Sequence, residues 1–243
     1  MTATTTLLRD QKIYFDAYDL TGSQNSVALA YGADQLDATV LGNDTHVFTA
    51  GLKTVSASMA GFTDYGGGDA ALFATIAAAT AKPLTICATG TAGALALFFK
   101  ANQAKYDITG KDGALLSYQL DATAADKLIR GTLMENQAAA ITTADGTGRQ
   151  VGAVSASQSI YAALHVFAIG GTASPTLTVN LDSDTTNAFV GAETTRLTFA
   201  PVTAIGSQYI SLAGAVTDTW WKPEWIISGT NPSFQFVLVT GIQ

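Results

Sequence analysis

The feature that most limits what this chain can become is its punctuation. Short runs of alternating or β-branched residues are cut off again and again by Gly, Asn, Asp, Ser or Thr, a rhythm that suits strands and leaves little room for packed helices. Ile13, Tyr14 and Phe15 open the series. The turn-forming stretch Thr21, Gly22, Ser23, Gln24, Asn25 follows, and residues 26–31 then place Val27, Leu29 and Tyr31 on one face. Residues 35–48 contain a turn-rich break at Leu41, Gly42, Asn43, Asp44, and residues 54–60 alternate once more up to Gly61. One segment, 69–79, reads as helix: Asp69 is a suitable N-cap, Leu72, Phe73 and Ile76 fall at helical spacing, and Pro83 stops any continuation.

Strand signals resume at 84–88, 94–100, 115–121 and 127–134, with Gly110, Lys111, Asp112 and Gly113 as a hairpin-type turn. Residues 135–152 then lapse into polar, turn-forming sequence, which places a domain boundary between 1–148 and 149–243. The second part carries strand runs at 159–169, 176–182, 196–201, 208–212, 219–227 and 234–240. Turns such as Gly170–Gly171 and the Gly229, Thr230, Asn231, Pro232 stretch separate them at the spacing of a β-sandwich. The expected fold class is all-β, with two β-sandwich-like domains and a single flanking helix.

Composition bears on what such a fold would do. With 48% hydrophobic and only 13% charged residues, the chain has about half the charge of an ordinary soluble domain, so part of its surface is expected to be covered by partners, copies of itself first. The formal charge is −7, and neither half is basic: nine basic residues stand against fourteen acidic in 1–148, three against five in 149–243. Tight binding to a phosphate backbone lacks its main source of energy, although an acidic wall would let nucleic acid slide past without sticking. The single Cys87, in an apolar run, cannot close an internal disulfide and reads as a buried thiol. No basic-then-apolar leader and no run of about 18 apolar residues occurs, so no membrane partner is expected, and assembly is expected in the cytoplasm.

Candidate chemistry is sparse. His46 and His165 are the only imidazoles, the first in a turn-rich stretch and the second alternating with Ala163 and Phe167 in a strand run. No nucleophile elbow, zinc-binding helix or phosphate loop is present, and the Gly66, Gly67, Gly68, Asp69 run lacks the lysine and preceding strand of a phosphate cradle. Asp182, Asp184, Thr185 and Asn187 offer oxygens to calcium but suit a strand-end turn equally well. In a strand, Trp221 and Trp225 share a face and Trp220 takes the other, which fits either sugar stacking or a core with one outward aromatic. No catalytic, metal-binding or cofactor-binding residue is expected, and no enzyme.

Several stretches carry a family resemblance. Asp19, Leu20, Thr21, Gly22, Ser23, Gln24, Asn25, Ser26, Val27, continued by Asp37 to Asp44 and by the Ala50–Phe62 stretch with Gly51, Leu52 and Gly61, resembles the tail tube (major tail) proteins of long-tailed bacteriophages. Leu128, Ile129, Arg130, Gly131, Thr132 and Leu133 resemble the closing strand of that family. The second half resembles a β-sandwich of other virion proteins at Ser174 to Val179 and Ile227 to Phe234. The resemblance implies a tail-tube type first domain and trimeric or hexameric rings of this chain, stacked into a hollow tube within the virion. It also implies tape measure protein and other tail proteins as partners, with DNA passing through the lumen without specific binding. The excursion at about 37–51 is then expected to reach the next subunit or ring, with Leu41, Val47 and Phe48 as contact residues. A capsid decoration protein and a carbohydrate- or receptor-binding virion module are the alternatives.

Overall fold

The computed structural model describes residues 10–64, 69–76, 80–191 and 193–243. The expected Gly66 to Gly68 loop and the end of the expected helix, 77–79, lie outside them. The chain is nearly all-β: β1 (Lys12–Phe15), β2 (Tyr18–Asp19), β3 (Gln24–Asp37), β4 (Phe48–Phe62), one short helix α1 (Asp69–Thr75), β5 (Lys82–Cys87), β6 (Leu95–Thr109), β7 (Ser117–Ala124), β8 (Ile129–Ala140), β9 (Ala144–Asp145), β10 (Arg149–Gln150), β11 (Ser159–Asp184), β12 (Thr194–Thr198), β13 (Gly206–Ala213) and β14 (Trp220–Ile242). The strands pair antiparallel, as expected of a chain with short connections.

Two compact units are formed, each from separated pieces of chain: Met1–Gly22, Lys82–Lys100 and Ile129–Gln243 in one, Ser23–Ala81 and Ala101–Leu128 in the other. β6 divides between them along its length. The expected boundary at 148/149 falls within the first unit, where β9 and β10 on either side of it both pair with β14.

The first unit is organised by β11 and β14, which pair from Ile160↔Ile242 to Asp184↔Trp220. Runs that the sequence presents as separate strands, 159–169 with 176–182 and 219–227 with 234–240, are thus single long strands. The intervening Gly and Pro residues bend this ribbon without ending its pairing. Register shifts occur at Val166/Ala168, Gly170/Thr172 and Thr172/Thr176. Positive φ values at Gly171, Ala173, Ser174, Gly229 and Asn231 mark the bend. The ribbon folds back on itself, so Ile160, Ala162, Leu164 and Val166 share one core with Leu177, Val179 and Leu181, and with Trp221, Trp225, Phe234 and Phe236. The two halves of the bent ribbon form the centre of a sandwich, which β8, β12 and β13 widen by pairing with β14 and β11. On the other face of β11, Tyr161 and Ala163 join a second core with Tyr14, Cys87, Phe98, Val237 and Val239.

In the second unit β4 runs between β3 and β7, and β7 continues to the second part of β6. Val55, Ala57 and Met59 alternate inward with Leu120 and Ala122. Among the described side chains of helix α1, Leu72 is buried, while Phe73 stands exposed and Ile76 leaves the helix to bridge Gln103. Seven residues are too few to bury a full apolar stripe.

Candidate assembly surface

β4 pairs with β7 over Ser56–Phe62, so among the described residues Phe48–Val55 has β3 as its single neighbour. Among the described residues β3 in turn pairs with β4 alone. From Tyr31↔Val55 to Asp37↔Phe48 the two strands therefore form a bare ribbon. Its length is about 20 Å at roughly 3.3 Å per residue.

Alternation gives this ribbon two faces. Tyr31 lies on the face that buries Val55 and Met59; beyond a bulge that sets Gly51 and Leu52 of β4 opposite Asp34, Phe48 pairs with Asp37 on that same face, while Leu36, paired with Thr49, takes the opposite one. Lys53 lies over the Tyr31 ring, 6.0 Å from its centroid. All these aromatic and aliphatic side chains are exposed, and so are Val40 and Leu41 in the connecting loop. The three residues singled out from the sequence sit together here: Leu41 is 104% exposed, Phe48 56% and Val47 44%. A two-stranded ribbon has no layer of its own to cover apolar groups on both faces. The missing cover is the signal that sequence alone left incomplete, since Tyr31, Leu36, Val40 and Leu52 belong to the same surface.

Polar contacts shape the ribbon's tip. Ala38 N–H donates to the Val47 carbonyl at 2.8 Å, and Val47 N–H donates to the Thr39 hydroxyl at 3.0 Å. That hydroxyl donates to the Asp37 carboxylate, which also accepts the Thr39 N–H at 2.9 Å and faces His46 Nδ1 at 3.2 Å. Acceptance of these bonds, those from Thr39 foremost, holds the Asp37 carboxyl below its usual range. The His46 ring stacks on Phe48 with centroids 6.0 Å apart.

The remaining candidates lie elsewhere and have structural partners. His165 is fully buried; its Nδ1 donates to the Asp16 carbonyl and its Nε2 accepts from the Thr85 hydroxyl, each at 2.8 Å. Burial pushes its pKa down to about 4, so the ring is neutral and closed to any substrate. Cys87 is buried and its thiol is pushed up to about 12. Trp221 and Trp225 share the core face, their indole N–H groups donating to Gly152 O at 2.8 Å and Thr142 O at 3.0 Å; sugar stacking on either is excluded. The Asp184 carboxylate accepts the Thr186 N–H at 3.1 Å in a strand-end turn. Among the described residues no group of three His, Cys, Asp or Glu side chains is placed to hold a metal.

No protein-family model and no curated protein matches the chain. Among solved structures it is similar to a chain from the tail of an empty gene transfer agent particle with C6 symmetry, at 18% identity over 49% of this chain and 94% of that one, TM-score 0.41. It is similar to the SPP1 tail tube protein at 9% identity over 54% and 81%, TM-score 0.46. It is also similar to the SPP1 Dit protein, a hub of the adsorption apparatus in phages of Gram-positive bacteria, at 13% identity over 96% and 99%, TM-score 0.38.

Proposed function

We propose that this protein is a structural component of a phage-type tail, self-assembling through the β3–β4 ribbon into rings that stack as a hollow tube. The observation that carries this reading is the apolar ribbon itself, exposed on both faces and at its tip. Covering one Leu, Val or Phe side chain is worth about 1.5–3 kcal/mol. Burial of Leu41, Val47 and Phe48 against a neighbour would then supply several kcal/mol toward the cost of association.

A second copy suits this surface better than nucleic acid or membrane. The ribbon offers a single lysine, Lys53, and β3 presents fourteen residues with an edge that no described strand pairs and to which another strand can add. An edge of one copy meeting a different surface of the next is a head-to-tail contact, which makes rings where its rotation closes. The acidic balance of the chain suits a lumen through which DNA slides past without being held. Tape measure protein and other tail proteins are the further partners of such a tube, and the virion its location.

Negative-stain electron microscopy of the concentrated, untagged protein tests this. Hollow tubes or stacked rings support it, and ring views read threefold or sixfold order directly. Single rings that never stack would make the protein a one-ring hub and not a tube. Persistent monomers or compact closed trimers would move the assignment to a decoration or binding module.

A further inference from the structure

The 38–47 loop carries its apolar side chains outward, so it has no core of its own to hold its shape. Val40, Leu41, Val47 and Phe48 are all exposed. A loop of this length left free would lose much conformational entropy on docking, and a partner's contacts would have to offset that loss. The base of the loop is nevertheless closed by a connected set of polar groups. The Thr39 hydroxyl stands at its centre, accepting from Val47 N–H and donating to Asp37, while Asp37 reaches the Thr39 N–H and His46. Each hydrogen bond to the carboxylate is charge-assisted and stronger than a neutral one. His46, stacked on Phe48, ties the same carboxylate to the first residue of β4.

We propose that Asp37, Thr39 and His46 are positioning residues, a clasp that holds the 38–47 loop in one conformation before any partner is met and so presents Leu41 ready to dock. That the partner is a second copy rests on the assembly reading above; the clasp does not. Thr39 is the most informative member, because loss of its hydroxyl breaks the bonds to Asp37 and to Val47 together. His46 is largely exposed and its contact with Asp37 is open to water, so it contributes less.

The test uses the full chain in three forms, wild type, Thr39→Val and Thr39→Ser. In dilute, monomeric samples, amide hydrogen exchange at Val47 reads the clasp. Thr39→Val accelerates that exchange by roughly tenfold after correction for intrinsic rates, and Thr39→Ser restores it, with the melting temperature unchanged in both. In concentrated samples the threshold for assembly rises roughly tenfold in Thr39→Val, equivalent to about 1.4 kcal/mol per subunit, and returns in Thr39→Ser. Val47 exchange at the free-peptide rate in the wild type, or unchanged by Thr39→Val, would overturn the clasp. Faster exchange with an unaltered assembly threshold would overturn its positioning role. A wild type that never assembles would remove the assembly reading, and the exchange measurement alone would then decide the clasp.

Discussion

Two ribbons of paired strands in this molecule start from the same geometry and end differently. The β11–β14 ribbon bends at Gly171 and Gly229 and folds back, so that its apolar faces meet each other and Trp221, Phe234 and Phe236 become fully buried. The β3–β4 ribbon has a β4 bulge at Gly51 and Leu52, opposite Asp34, but no positive-φ residue before the glycine of its tip loop, Gly42, and it runs on without turning back. Leu36, Phe48 and Leu52 consequently stay exposed. A ribbon that closes on itself stabilises the monomer; one that does not leaves its apolar surface for another molecule. The placement of a few bend residues, more than hydrophobicity, decides which role each ribbon takes.

The contrast is open to attack at several points. The largest effect is expected at the closed ribbon's core: Trp221→Ala should lower unfolding free energy by about 3–5 kcal/mol in chemical denaturation, through lost packing and the lost bond to Gly152 O. A value near that of a surface substitution would show that the folded-back ribbon is not a true core.

The next effect is pH dependence through His165, behind the same ribbon. Its folded pKa, about 4, lies below the ordinary 6.5, so the unfolded chain takes up the proton first. Stability is therefore full above about pH 6.5 and falls as pH drops toward 4, by about 3 kcal/mol, with no further loss from this group below that. Denaturation midpoints measured across this window should slope in the wild type, and His165→Gln should flatten the slope.

A smaller effect is expected at the bend. Gly229 has φ +113°, and a Cβ there would stand 2.8 Å from Pro175 Cα. Gly229→Ala should cost roughly 1–3 kcal/mol, and an unchanged melting temperature would mean the bend tolerates ordinary backbone. The smallest belongs to the open ribbon: Leu52→Ser should leave monomer stability within about 0.5 kcal/mol. A larger loss would mean that Leu52 packs within its own chain.

Much of this was legible in the alternation of the sequence. The inward face of Trp221 and Trp225, the start of the helix at Asp69 and the apolar tip at Leu41, Val47 and Phe48 all follow from period and residue type, which are local properties. The bent strands were not legible, because Gly170, Gly171, Gly229, Asn231 and Pro232 read locally as chain-reversing turns. Only the pairing of β11 with β14, residues distant in sequence, shows that they curve a continuous ribbon. The composition of the two units was equally hidden: the chain passes between them inside β6, at Lys100 and Ala101, where no change of composition marks the passage. The exposed ribbon was half visible, its tip by composition and its two bare faces only once β7 was seen to stop at Ser56.

Sedimentation velocity of the wild type beside the Leu41→Ser/Phe48→Ser double variant, over a concentration series, addresses the ribbon's role most directly. Assembly through the β3–β4 ribbon predicts large species in the wild type and monomers in the variant, with equal melting temperatures. Equal association of the two proteins would contradict it and place the subunit interface on another surface.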